Sequence, residues 1–92
     1  MEPAYVRSPK VEDAPLDQEC ILFHPEANRF FVLNDTAAFV WRKLDAPATA
    51  SGIARELQSS FQGVSEDRAR TDVQKTLEHM LELAVIEPQV TA

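Results

Sequence analysis

The chain has 92 residues, a formal net charge of −6 and a single cysteine. This length suits one small domain with its own core, and one cysteine excludes an internal disulfide. The acidic balance argues against nucleic acid as a partner, because phosphate binding needs clustered Lys and Arg. No apolar run approaches the roughly 18 residues of a membrane helix, and no basic-then-apolar signal opens the chain. The sequence therefore predicts a cytoplasmic protein with no membrane partner.

Both ends of the chain lack a periodic pattern. Residues 1–9 carry two prolines and are predicted to form a flexible arm, with a flexible tail over residues 88–92. The domain itself is expected over residues 10–87. Val11 could begin a short edge strand, whose length Pro15 would limit. The number of strands in the first sheet, two or three, is left open.

The most extended segment is a predicted β-hairpin. Residues 20–24 and 29–33 are two runs of strand-forming side chains, and Pro25-Glu26-Ala27-Asn28 between them has the composition of a tight turn. Both faces of this hairpin are largely apolar, so each face is expected to find cover. Its outer strand would carry unpaired backbone groups, which can attract an extended peptide.

Two adjacent aromatic residues lie in the second hairpin strand. Neighbouring side chains of a strand point to opposite faces, so Phe30 and Phe31 cannot serve the same side. We expect one of them to face the core. The other is the better candidate for a groove or dimer contact, and the sequence leaves open which is which.

Three helices are predicted after the hairpin. Each begins at a residue whose side chain can accept from the amides of the first turn, namely Asn34 or Asp35, Thr49 or Ser51, and Ser65. Pro47 ends the first helix and Gly63 follows the second. Val85-Ile86 is predicted to be a short closing strand or an extended tail, ended by Pro88. This order predicts an α+β fold. It is a small winged-helix-like domain, in which an N-terminal β-hairpin or three-stranded antiparallel sheet is followed by three helices.

The sequence offers no catalytic or metal-binding arrangement. Cys20 and His24 would share a strand face about 13 Å apart, too far for a nucleophile and its base. One cysteine and two distant histidines do not make a zinc site, and there is no Gly-rich phosphate loop. We expect no enzyme activity, no metal and no cofactor.

Several motifs, in their order along the chain, resemble the PqqD family. The run Ile21-Leu-Phe-His-Pro-Glu-Ala-Asn-Arg-Phe-Phe-Val-Leu-Asn34 matches a strand pair that ends in Leu-Asn. Val40-Trp41 matches an Ile/Val-Trp pair in the first helix, and Ile53-Ala-Arg-Glu-Leu57 matches the core of the second. Asp72-Val73 opens the pattern of the long third helix. The resemblance covers roughly residues 20–86, without singling out the pyrroloquinoline quinone pathway.

The resemblance implies a peptide chaperone, or RiPP recognition element. Such a protein binds the leader segment of a ribosomally made precursor peptide and presents it to a modifying enzyme, often a radical-SAM protein. The leader is expected to add as a strand to the hairpin's edge, in a groove against the third helix. Carried over by position, the peptide-binding residues are Arg29, Phe30, Phe31, Val32, Leu33, Arg70, Val73, Gln74 and Leu77.

Two other functions stay open from the residues. The helix order also suits a winged-helix DNA-binding regulator, although the predicted third helix is net acidic, which is unsuited to the major groove. The free hairpin edge would also suit a structural homodimerisation module. The protein could therefore be a monomer or a homodimer.

Overall fold

The computed structural model describes residues 2–16 and 19–89. Within these ranges it contains two small antiparallel sheets and three helices. The elements are β1 (Ala4–Arg7), β2 (Glu12–Leu16), β3 (Glu19–His24), β4 (Arg29–Leu33), α1 (Asp35–Lys43), β5 (Ala48–Thr49), α2 (Ala50–Ser60), α3 (Glu66–Glu82) and β6 (Ile86–Gln89). The predicted α+β fold is confirmed, with a three-stranded sheet before the helices.

One of the two sheets has the strand order β2-β3-β4 and lies before the helices in the chain. Its hairpin is the predicted one: Leu22 pairs with Phe31, and Cys20 pairs with Leu33. The turn closes through a hydrogen bond from the Asn28 N–H to the Pro25 carbonyl, at 3.2 Å. Asn28 has a φ of 53°, a left-handed conformation that asparagine tolerates better than most residues.

The second sheet has the order β5-β1-β6 and corrects the prediction for the N-terminus. Residues 4–7 are not a flexible arm, because β1 is the central strand and pairs with both neighbours. Backbone hydrogen bonds from Arg7 to Leu44 and from Ser8 to Val85 extend this attachment. Both partner strands lie far along the chain, so no local pattern could reveal the pairing.

At the C-terminus, the structure has a strand, β6, which begins at Ile86, so of the two alternatives the closing strand is the one observed. It runs on through Pro88 and Gln89, where the sequence predicts a flexible tail, and residues 90–92 lie outside the described residues. A domain limited to residues 10–87 would thus omit all of β1 and the end of β6.

The three helices begin where their capping residues predict. In each case the first candidate is the N-cap, and its side-chain oxygen accepts from the amide three residues later. The pairs are Asn34 with Ala37 at 2.8 Å, Thr49 with Gly52 at 3.1 Å, and Ser65 with Arg68 at 3.2 Å. Gly63, after α2, has a φ of +79°, which explains a glycine at this turn.

The core lies between the helices and the inner face of the β2-β3-β4 sheet. The largest fully buried side chains come from all of these elements: Trp41, Leu22, Leu44, Ile53, Met80, Val40, Val73 and Val85. β3 and β4 pack on α1, so the inner face of the hairpin is in contact with this helix. Among the helices that the structure describes, none is both long and apolar enough to cross a bilayer.

Candidate functional site

β4 is a free edge of its sheet. It pairs with β3 on one side only, so alternate residues point their N–H and C=O groups away from the sheet. The other edge strands described are shortened or interrupted: β2 contains Pro15, β6 contains Pro88, and β5 has two residues. Proline and short length discourage the addition of a further strand. Among the described edge strands, β4 alone has five residues and no proline.

The side chains of β4 alternate between the core and solvent. Leu33 is buried and Phe31 is half-buried on the inner face, whereas Phe30 is 70% exposed and Val32 is 67% exposed on the outer face. Phe31 is therefore the aromatic residue that turns towards the core, and the predicted opposite orientation of Phe30 and Phe31 is confirmed. The expectation that the residue facing away from the core is the groove candidate is not supported, because Phe31 and not Phe30 lines the cleft beside β4. The guanidinium carbon of Arg29 lies 5.5 Å from the centroid of the Phe31 ring.

Among the described residues, the helices cover the inner face of this sheet, and the expected cover of the outer face is not found within the chain. Phe30 packs against its cross-strand neighbour Phe23, with ring centroids 4.7 Å apart, and is still 70% exposed. The buried side chains of the hairpin, such as Leu22 and Leu33, all point to the opposite face. The helices pack on that inner face, so they cannot also shield the outer one.

An open cleft borders β4 on its inner side. It is lined by residues of the hairpin and of the end of α3: His24, Glu26, Ala27, Arg29, Phe31, Glu82, Leu83 and Ala84. At its rim the Lys10 ammonium lies 2.6 Å from a Glu26 oxygen. This ion pair lowers the pKa of Glu26 and raises the pKa of Lys10. Phe31 and Leu83 contribute apolar side chains to the lining of this cleft.

The four α3 residues that the resemblance assigns to peptide binding do not lie at the cleft beside β4. Val73 is 0% exposed and Leu77 is 2% exposed, so both belong to the core. Arg70 and Gln74 line a different depression, together with Leu77 and residues of the N-terminal segment and α2, namely Glu2, Pro3, Tyr5, Ala50, Ser51 and Glu78. None of these four α3 residues is among those that line the cleft beside β4.

The cleft reaches the end of α3 through Leu83, on the flank opposite to Arg70 and Gln74. At 3.6 residues per turn, Leu83 shares its flank with Thr76 and Asp72, whereas Arg70 and Gln74 lie on the opposite side of the core stripe. Sequence periodicity identified the buried stripe but not which flank turns to β4. Leu83 is apolar although it lies outside the stripe, but Leu81 on the other flank is apolar too, so neither residue indicates which flank turns to β4.

Neither Cys20 nor His24 is placed for catalysis. Cys20 is buried, and this burial raises the pKa of its thiol, so little reactive thiolate forms. His24 is also buried, and its Nδ1 accepts from the Ala27 N–H at 3.4 Å, which supports the hairpin turn. In the part of the chain that the structure describes, no three His, Cys, Asp or Glu side chains are grouped to hold a metal ion.

The charges of α3 do not favour nucleic acid. Arg68 lies 3.8 Å from Asp72, and Arg70 lies 3.1 Å from Glu66, each pair one turn apart on the same helix. A recognition helix needs its basic groups available to phosphates and bases. Arg68 and Arg70 instead each form an ion pair with an acidic residue of the same helix.

The comparison with protein families identifies the chain. The family described as Coenzyme PQQ synthesis protein D (PqqD) matches residues 19–86, well over half of the chain. The chain belongs to the PqqD family. Residues 19–86 include the free edge strand and the cleft of this PqqD-family protein, and they leave out β1 and β2.

Two solved structures resemble this PqqD-family protein over nearly its full length. One is "TbiB1 in Complex with the TbiA(beta) Leader Peptide", with a TM-score of 0.83, 19% identity, and coverage of 94% of this chain and 99% of that chain. The other is "Lasso peptide synthetase B1 complexed with the leader peptide", with a TM-score of 0.79, 23% identity, and coverage of 91% and 98%. These likenesses show a shared fold. No curated protein matches the chain.

Proposed function

We propose that this protein is a non-catalytic adaptor that recognises the leader segment of a ribosomally synthesised precursor peptide by β-strand addition. The observation that carries the proposal is the free edge of β4, five residues long and without proline, beside an open cleft. Membership of the PqqD family supports it. So do the names of the two similar structures, both of which are complexes with a leader peptide.

Strand addition to β4 would supply both affinity and selectivity. Each backbone hydrogen bond to the edge contributes on the order of 1 kcal/mol net. Side chains of the added strand alternate, and those that point inward enter the cleft towards Phe31 and Leu83. Selectivity then depends on how well these inward side chains fill the cleft.

Of the residues carried over by position, we assign the docking strand to Arg29, Phe30, Phe31, Val32 and Leu33. Val73 and Leu77 would act indirectly, because as core residues they hold α3 in place. Arg70 and Gln74 face β1 and α2, and we assign them no direct contact with the peptide strand.

The bound peptide would be presented to a modifying enzyme, for which a radical-SAM protein is one candidate. The adaptor would act in the cytoplasm, where precursor peptides are synthesised. It would bind its peptide as a monomer, because a homodimer formed through β4 would occupy the same edge.

The test is a titration with the leader segment of a precursor peptide encoded beside the gene for this chain. The labelled peptide is expected to bind with a dissociation constant of about 10 µM or tighter, measured by fluorescence anisotropy. Phe31→Ser and Leu83→Ser should each weaken binding about tenfold, since both side chains line the cleft. Gln74→Ser, on the opposite flank of α3, is the matched control and should leave the affinity unchanged.

Absence of binding up to about 1 mM peptide would contradict the proposal. So would a loss of affinity in Gln74→Ser with none in Phe31→Ser or Leu83→Ser. Thermal unfolding of each variant separates a lost contact from a lost fold.

A further inference from the structure

The outer face of β4 carries two exposed apolar side chains. Phe30 and Val32 are the only large hydrophobic residues exposed among those that the structure describes. They are two positions apart, on the same face of the edge strand. Behind them, in β3, lie the half-buried Phe23 and Ile21, each directly opposite one of the pair. Together these four side chains form an apolar patch at the sheet's edge.

The patch is too small to hold a second copy of the chain by itself. Taking roughly 200 Å² for a phenylalanine side chain, the patch offers on the order of 300 Å². A stable protein–protein interface buries about 800 Å² on each partner. The patch therefore fits an occupant that is also held by other contacts. A peptide strand paired with β4 is held in this way by backbone hydrogen bonds.

We propose that the bound peptide itself covers Phe30 and Val32 with two large apolar side chains on its outward face. This inference rests on the proposed function, because it requires strand addition to β4. A strand paired with β4 places its outward side chains directly beside Phe30 and Val32, with Cβ atoms about 4.5–5.5 Å apart. These neighbours continue the pairs that Phe30 already makes with Phe23, and Val32 with Ile21.

The proposal specifies the class of peptide. Between two outward positions lies one inward position, which faces the cleft at Phe31 and Leu83 and also favours an apolar residue. The recognised segment is therefore a run of three successive large apolar residues. An alternating apolar and polar segment, which would fill only the cleft, leaves Phe30 and Val32 in water and binds more weakly.

A selection experiment with random peptides tests this inference, so the natural peptide need not be identified first. A phage-displayed library of random 12-residue peptides is selected on the full chain and on the Phe30→Ser/Val32→Ser double variant. Both substitutions are at exposed positions, so the fold should be retained. Ala14→Ser, an exposed residue of β2 on the same outer face but at the far edge of the sheet, is the matched control.

We expect the unchanged chain and Ala14→Ser to enrich peptides with three successive apolar residues, and the double variant to enrich alternating ones. Peptides enriched on the unchanged chain should bind the double variant about tenfold more weakly in anisotropy titrations.

Three outcomes overturn the inference. If the double variant and the unchanged chain enrich the same sequences, the outer face plays no part, while the proposed function stands. If no peptide is enriched on any of the proteins, the proposed function falls as well. If light scattering shows dimers of the unchanged chain that the double variant does not form, the occupant is a second copy.

Discussion

The indole Nε1 of Trp41 donates a hydrogen bond of 3.0 Å to the carboxylate of Asp13. This bond joins β2, at the far edge of the sheet that ends in β4, to helix α1, in which Trp41 is buried. Arg7 of β1 completes the junction, since its Nε and Nη2 donate to the Trp41 carbonyl at 3.0 and 2.9 Å. Its guanidinium carbon also lies 4.6 Å from the centroid of the indole ring. Both sheets thus form hydrogen bonds with one residue of α1, Trp41.

Removal of the Asp13 carboxylate should destabilise the fold. Trp41 is almost fully buried, so its N–H would lose its partner in the protein. We expect Asp13→Ala to lower the free energy of unfolding by about 1–3 kcal/mol, measured by urea denaturation. Asp13→Asn keeps an acceptor oxygen and should lose less. Glu12→Ala, an exposed neighbour on the opposite face, is the control and should change stability little. Equal stability of Asp13→Ala and Glu12→Ala would contradict this role.

The N-terminal strand should be required for stability. Deletion of residues 1–7 removes the central strand of the β5-β1-β6 sheet and the half-buried Tyr5. We expect the melting temperature, followed by circular dichroism, to fall by more than about 5 °C. Deletion of residues 1–3 keeps β1 and loses the Glu2 contact to the Ser51 amide, so it should cost less. An unchanged melting temperature without residues 1–7 would mean that the segment is a dispensable arm.

Two positions with positive φ should respond to substitution in opposite directions. Ala84 has a φ of 59° just after α3, in a conformation that costs an alanine about 1 kcal/mol. Ala84→Gly should therefore stabilise the protein by about this amount. Gly63 has a φ of +79° and open space around it, so Gly63→Ala should destabilise through backbone strain alone. Chemical denaturation of both variants measures the effect, and a destabilised Ala84→Gly would show that the strain argument fails.

The thiol of Cys20 should report on unfolding. Burial raises its pKa, so at pH 8 it forms less thiolate than an ordinary cysteine, and its sulfur is also shielded from reagents. We expect its reaction with a disulfide reagent such as DTNB to be at least about a hundredfold slower in the native protein than in urea. Comparable rates in both states would mean that β3 opens readily in the native protein.

The features that local chemistry determines were predictable from the sequence. The caps Asn34, Thr49 and Ser65, and the hairpin around Pro25–Asn28, each depend on residues within a few positions of one another. The opposite orientation of Phe30 and Phe31 follows from strand geometry alone.

The features that depend on remote pairing were not predictable. β1 joins strands that lie more than 40 residues away, and a four-residue strand has too little pattern to be seen. The flank of α3 that turns to β4 depends on how the helix is rotated over the core. Leu83 and Thr76 on one flank look no different in sequence from Leu81 and Gln74 on the other.

The most direct test of the central claim is amide hydrogen exchange along β4 with and without the leader peptide. In the free protein, every second β4 amide points away from β3 and should exchange fast, because it has no partner within the sheet. Strand addition should protect this alternating set and leave the Gln74 amide within α3 unchanged. Protection elsewhere in the chain, with all amides of Arg29–Leu33 exchanging at their free rates, would contradict the account.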